Sequence, residues 1–402
     1  MNCFPEGYRN IGGEKSEGLE KGKQKVLELL DSYGYVLFQP SPVQLFGPTW
    51  ERLSPEVRSR MVMAGSSSGE ACCLIPDLTI ASVGHVAATR APEERPLRVC
   101  YSERVFRAPV PPDRDIDSFQ VGAELIGWDG NGADLEILTL VLRAMELLEA
   151  KGSFVVLGDA CLLRSFLETL PMETAAALRY SLISHSFTRY RDTLDRSPVP
   201  GSLRPILEAL PSLRGGMDTL DRAREMLPEG IDLESIRDLA KGLSEAGFEE
   251  MVQIDLGLAR ELDYYSGPVF EVFCEGQGRP VGGGGRYDGL LSSFGMIGQA
   301  TGFSLEIDRI TGIIQKPRTD TGRVMTWAGN LPARDAMAMA DLFTERSIPV
   351  ELSWVGNSER SRDLARRRGY SWWADLPNDK VFGLFSPDVI PGPKFREGFF
   401  KQ

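Results

Sequence analysis

The chain has 402 residues, of which 42% are hydrophobic and 25% charged, and a net charge of −12. That length gives room for two or three domains with ample core, and no apolar run approaches the roughly 20 residues of a membrane span. The acidic balance argues against a nucleic-acid binder, whose affinity rests on basic contacts to phosphate, although an acidic chain can still carry a basic patch.

In chain order, Leu19, Val26, Leu27, Leu30 and Tyr33 recur at helical spacing. They predict a helix over 15–33, stopped by Gly34. Residues 35–39 follow as a strand, ended by Pro40 and Pro42. AGSSSGE at 64–70 is a loop between strands and lacks the GK[ST] ending of a phosphate loop. Cys72 to Ile75 form a strand that Pro76 breaks. Asp77 or Thr79 can then cap the next helix; a ligand role needs Asp77 to point inward as an acceptor.

The stretch from Val99 to Gly127 reads as two strands, Val99 to Arg107 and Ser118 to Ile126. Pro109, Pro111, Pro112, Asp113 and Asp115 form their connection. Side chains alternate along a strand, so Gln120, Gly122 and Glu124 share one face and Phe119, Val121, Ala123 and Leu125 the other. The apolar face fits a core. The opposite face offers an amide and a carboxylate, with a glycine between them that leaves space over the backbone. Arg107 can reach the same surface. The hairpin is thus either a floor for a small ligand with an amino group and an anionic group or an ordinary half-exposed hairpin.

A long apolar helix over 133–150, a strand over 153–157 and a helix over 160–170 come next. Across 172–250 strand signals vanish, and short helical patterns are broken by Pro198, Pro200, Pro205, Pro211 and Pro228. Arg179, Arg189, Arg191, Arg196 and Arg204 make the first half of this insertion basic, which suits an RNA contact or, more commonly, solvated helix faces. Strands return at 251–256 and 269–274. Residues 275–285 read as a glycine-rich turn region containing Gly282 to Gly285. ATGFSLEID at 300–308 is strand-like and leads into Arg309 and a short helix. Residues 320–402 read as strand (324–328), helix (334–345), strand (349–354) and helix (358–368), with an irregular end from Phe382. The basic residues Arg360, Arg362, Arg366, Arg367 and Arg368 again allow a solvated helix face.

Cys3, Cys72, Cys73, Cys100, Cys161 and Cys274 show no CxxC spacing, and His85 and His185 lie far apart. The expectation is reduced thiols in a cytoplasmic protein, with no metal site and no targeting segment.

Five ordered segments resemble the histidyl branch of the class II aminoacyl-tRNA synthetases. PDLT at 76–79 resembles that branch's PEGT. VFR at 105–107 with FQVGAELIG at 119–127 resembles the second class motif, and RELDYYSGPVFE at 260–271 its histidine-binding segment. GGRYDGLL at 284–291 and GFSLEIDR at 302–309 resemble the last strand pair and the third class motif. The resemblance implies an α+β fold: an antiparallel sheet flanked by helices and working as a homodimer. Residues 1–171 and 251–318 would form the synthetase-like core, 172–250 a helical insertion, and 319–402 a small α/β region, a degenerate anticodon-binding-like domain. It also implies a histidine pocket lined by Asp77, Thr79, Arg107, Gln120, Glu124, Arg260, Tyr264 and Tyr265. Carboxylates would take the ammonium, arginine the carboxylate, and Tyr and Gln the imidazole.

Two positions depart from the synthetase pattern. The second motif's glutamate, which holds adenine, is replaced by Pro109, and the third motif's glycine by Glu306. A carboxylate beside a triphosphate in a poorly solvated site costs several kcal/mol. The amino-acid half of the site therefore reads as kept and the nucleotide half as damaged. This combination resembles the regulatory subunits of ATP phosphoribosyltransferase, synthetase paralogues of histidine biosynthesis. Membership would imply no catalytic residues, no cofactor and no tRNA. The partners would be free histidine and the catalytic subunit of the short-form transferase, in a hetero-oligomer that histidine inhibits by feedback. An active histidine–tRNA ligase and an RNA- or protein-binding paralogue are the alternatives.

Overall fold

The computed structural model describes residues 5–110, 114–228, 231, 233–313, 323–385 and 389–392. The chain divides into two compact units, residues 1–315 and 316–402. Unit 1 holds twelve described strands in chain order: β1 (Val36–Leu37), β2 (Val43–Leu45), β3 (Met63–Ala64), β4 (Cys72–Leu74), β5 (Leu97–Phe106), β6 (Asp117–Ile126), β7 (Phe154–Asp159), β8 (Arg214–Gly215), β9 (Val252–Asp255), β10 (Pro268–Phe273), β11 (Gly282–Arg286) and β12 (Ala300–Glu306). Nine of them build one sheet in the order β1-β5-β6-β12-β11-β10-β7-β9-β8; β2, β4 and β3 form a small separate sheet. The large sheet is antiparallel except where β1 meets β5 and β7 meets β9.

One face of the sheet is packed with helices. The helix Glu14–Ser32 buries Leu19, Val26 and Leu30, and Gly34 follows it at φ +79° as the stop its position implied. The helix Asn131–Leu147 buries Ile137, Leu138, Val141 and Met145, which join Val121, Ala123 and Leu125 of β6 in the main core. The start of that helix is locked to β11 by a buried ion pair. Arg286, 6% exposed, donates from Nη2 (2.6 Å) and Nε (3.0 Å) to Oδ2 of Asp134, 3% exposed, and from Nη2 to the Gly130 carbonyl at 2.8 Å. No helix among the described residues is long and apolar enough to cross a membrane.

The structure corrects three expectations. Gly282 to Gly285 are no turn. They form β11, paired with β10 on one side and β12 on the other at the middle of the sheet. A glycine strand is weak by propensity, but here neighbouring groups occupy the space that side chains would take. Second, the mostly helical 172–250 segment contributes a two-residue edge strand, β8, to the sheet. Three of its arginines are engaged within the fold. Arg179 turns inward, Arg189 stacks over Tyr180 at 5.0 Å, and Arg204 pairs with Glu208 at 3.1 Å.

The third correction concerns unit 2. Its sheet runs β14-β13-β15-β16-β17, with β13 (Val324–Trp327), β14 (Val350–Ser353), β15 (Trp372–Asp375), β16 (Lys380–Gly383) and β17 (Val389–Pro391). The helices Ala333–Thr344 and Ser358–Arg367 accompany it as read, but the supposedly irregular end supplies part of β16 and all of β17. Asp379, at φ +46°, sits in the turn between β15 and β16, and Asn378 caps back onto Asp375. Such short strands carry no periodicity of their own and exist through pairing. Arg362 covers the rings of Phe382 and Trp373, at 5.1 and 5.9 Å. Of the hairpin connection in unit 1, Pro111, Pro112 and Asp113 lie outside the described residues.

Candidate functional site

Alternation along β6 turns Gln120 and Glu124 away from the helix-packed face. There the sheet floors a cavity of about 760 Å³. All eight residues expected at the pocket line it: Asp77, Thr79, Arg107, Gln120, Glu124, Arg260, Tyr264 and Tyr265.

The PDLT segment supplies the first pair. Asp77 is the N-cap of the helix Leu78–Thr89, its Oδ1 accepting from the Ile80 N–H at 2.8 Å. Its other oxygen, Oδ2, accepts from the Tyr264 hydroxyl at 3.3 Å and lies 3.5 Å from Arg107 Nη2. Cap and inward acceptor are thus one carboxylate with two working oxygens. Arg107 is held in place by donating from Nε to the Pro76 carbonyl at 2.6 Å.

Glu124 is the electrostatic centre. It is 1% exposed, and its carboxylate accepts from three hydroxyls: Thr79 at 2.7 Å and Tyr101 at 3.0 Å on Oε1, Tyr287 at 2.6 Å on Oε2. Burial pushes its carboxyl up to about 8, against the pull of those hydroxyls. The glycine between Gln120 and Glu124 does not leave open space for a ligand. A Cβ on Gly122 would stand 2.6 Å from the Tyr101 ring and hydroxyl, so the gap holds the tyrosine that grips Glu124.

The loop before β10 delivers Arg260, Tyr264 and Tyr265. Arg260 Nη1 donates to the Phe270 carbonyl at 2.7 Å and rests on β11: a Cβ on Gly283 would lie 1.6 Å from that nitrogen. Among the described residues Arg260 makes no ion pair. Its remaining donors and the Glu124 carboxylate face one cavity, an arrangement able to take a zwitterion by both ends.

The other end of the cavity is different. Glu306 and Arg309 line it and pair with each other, Arg309 Nη1 to Glu306 Oε2 at 3.1 Å. Arg309 Nη1 also donates to the Pro280 carbonyl at 3.0 Å. Arg309 is thus already paired with a carboxylate on its own turn of chain.

Tyr101 and Tyr287 are site residues that sequence reasoning missed. Tyr287 lay within the quoted GGRYDGLL segment. Tyr101 stands opposite Gly122 in the β5–β6 register, a large residue facing a glycine. Glu271, facing Gly283 across β10 and β11, also lines the cavity, and burial raises its carboxyl.

Comparison with known proteins gives a consistent result. The family model for histidyl-tRNA synthetase matches residues 7–310. An ATP phosphoribosyltransferase regulatory subunit from Moorella thermoacetica is 32% identical over 373 residues, covering 90% of this chain and 95% of that protein. The protein of the same name from Bacillus subtilis is 32% identical over 314 residues, covering 76% and 80%. Among solved structures, an ATP phosphoribosyltransferase regulatory subunit/histidyl-tRNA synthetase from Bacillus halodurans aligns with a TM-score of 0.80 at 24% identity, over 93% of this chain and 97% of that one. Histidyl-tRNA synthetase from Nostoc sp. aligns with a TM-score of 0.77 at 16% identity, over 97% and 96%. The chain belongs to the family of ATP phosphoribosyltransferase regulatory subunits, on a histidyl-tRNA synthetase fold.

Proposed function

We propose that this member of the regulatory-subunit family binds free histidine in the 760 Å³ cavity and regulates a short-form ATP phosphoribosyltransferase without catalysing a reaction of its own. The observation that carries the reading is the asymmetry of the site. Arg260, which makes no ion pair among the described residues, and Glu124, whose buried carboxyl must give up its proton to receive an ammonium, face the amino-acid end, whereas Arg309 at the nucleotide end is taken by Glu306 at 3.1 Å. Pro109 has neither the carboxylate nor the N–H with which adenine could be held. Histidine would bias the assembly by binding one of its states more tightly.

The partner in this reading is the catalytic subunit of the short-form transferase, with no tRNA. A homodimer core within the hetero-oligomer is supported by exposed apolar side chains on the edge strand β1 and on β3 of the small sheet. Val36 is 64% exposed, Leu37 50% and Met63 57%, and β1 is a bare edge of the sheet. We further propose that residues 172–250 act as an insertion in the 1–171 and 251–318 core, and that 319–402 is a reduced anticodon-binding-like region.

The purified protein should give no histidine-dependent pyrophosphate exchange with ATP, and should raise the activity of a short-form transferase subunit with which it co-purifies. Robust exchange would replace this reading with an active histidine–tRNA ligase, the runner-up that the retained Arg260 favours.

A pH dependence follows from Glu124. Its carboxyl keeps its proton up to about pH 8, so a ligand ammonium must displace that proton on binding. Affinity should then fall about fivefold from pH 8 to pH 7 and about tenfold from 7 to 6, with the proton released per histidine bound rising from about one half at pH 8 to about one at pH 7 and below. Calorimetry in buffers of different ionisation enthalpy measures the proton count; a count of zero removes Glu124 as the cation's partner.

A further inference from the structure

The loop that carries Arg260, Tyr264 and Tyr265 is a wall with a cavity on each side. Behind it lies a second cavity of about 680 Å³, and Ala259, Arg260, Leu262 and Tyr265 line both. The second cavity is walled by apolar side chains from the helix Ala160–Leu167 and from the loop, among them Leu163, Leu167, Leu258 and Leu262. Two arginines at its margin hold the two ends of the loop by the backbone. Arg179 Nη2 donates to the Arg260 carbonyl and Arg164 Nη2 to the Tyr265 carbonyl, each at 2.7 Å.

The two arginines are not equivalent. Arg179 is charge-paired with Asp263, and with Glu56 at 3.4 Å. Arg164 makes no ion pair among the described residues. Its guanidinium stands beside an apolar hollow with only a carbonyl as acceptor. Glu168 and Asp263 are the acidic groups on the wall, and Arg179 already neutralises Asp263.

We propose that this second cavity is a binding site for a small amphipathic monocarboxylate, coupled to the histidine site through the shared loop. The ligand's apolar body lies on Leu163, Leu167 and Leu262, and its carboxylate takes Arg164. A carboxylate is a stronger acceptor for a guanidinium than a carbonyl is, so binding draws Arg164 off the Tyr265 carbonyl. One end of the loop that presents Arg260 and Tyr264 to histidine is then released. The two ligands oppose each other, and the coupling is reciprocal. The coupling rests on the histidine reading above; the site itself does not.

Octanoate titrated into the full-length protein by calorimetry tests the site. One octanoate should bind per chain, octylamine should not bind, and Arg164→Gln should weaken octanoate at least about tenfold, the loss expected for a hydrogen bond between charged groups. Leu167→Trp, which fills the hollow, should abolish it, and the exposed Arg164→Gln supplies the same test without touching the core. Saturating octanoate should raise the histidine dissociation constant about tenfold. No octanoate binding, or binding indifferent to both substitutions, overturns the site. Histidine affinity unmoved by saturating octanoate overturns the coupling. A protein that binds no histidine even without octanoate defeats the histidine reading, while the octanoate titration still decides the second site.

Discussion

Glu124→Gln is expected to weaken histidine binding by about two orders of magnitude while leaving the melting temperature of the free protein unchanged or higher. Removing one partner of a buried charge pair costs about 2–5 kcal/mol in binding, and a factor of one hundred sits within that range. Stability runs the other way. In the free protein the carboxyl is 1% exposed, and burial already opposes its ionisation. An amide of the same shape removes that charge. It keeps an acceptor for the Thr79 and Tyr101 hydroxyls and offers its NH2 to Tyr287, whose hydroxyl can accept. Isothermal titration with histidine and a thermal melt of the free protein measure the two arms. Unchanged histidine affinity would falsify the assignment of Glu124 as receiver of the ligand's cation, and a collapsed melting temperature would recast it as a structural group.

Gly284→Ala should destabilise the protein severely, by about 3 kcal/mol or more. Overpacking by one methylene costs roughly 1–3 kcal/mol where neighbours can shift. Here the new Cβ would lie 2.0 Å from the Gly302 carbonyl oxygen, and 2.8 Å from both the Phe303 Cα and the Phe270 ring. Two of those three are backbone of β12, which β6 pins from its other side, so neither can yield without parting the sheet. Gly289→Ala is the matched control. It sits in the helix Asp288–Ser293 with nothing within 4 Å of its Cβ position, and should be neutral or stabilise by about 0.5–1 kcal/mol through helix propensity. Denaturant melts of the two variants should separate widely; a Gly284→Ala protein as stable as Gly289→Ala would mean that β11 is not clamped between β10 and β12.

Most of the candidate site was legible from local pattern. Asp77 declared itself by following Pro76 at a helix start. Gln120 and Glu124 were set on one face by the two-residue period of β6, and the order of the five segments pointed to the pocket as a whole. What failed was reasoning about glycine. Gly122 read as ligand space and Gly282 to Gly285 as a turn, since a missing side chain looks the same whether water, a ligand or another residue fills the gap. The structure puts Tyr101 in the first gap and Arg260, with strand backbone, in the second.

The sequence by itself determined the helices and long strands, the division into core, insertion and C-terminal unit as an expectation, the types of charge available to a ligand, and the replacement of two nucleotide-gripping positions by Pro109 and Glu306. Those properties live in neighbouring residues, whose period and chemistry can be read in place. Only the tertiary structure decided what each charge is bonded to. Glu124 is held by hydroxyls 45, 23 and 163 residues away, and the loop bearing Arg260 is held by arginines from two other helices. Hydrogen-bond partners across a sheet depend on the register between strands far apart in the chain. That register comes from the packing of the whole core, and no local pattern contains it.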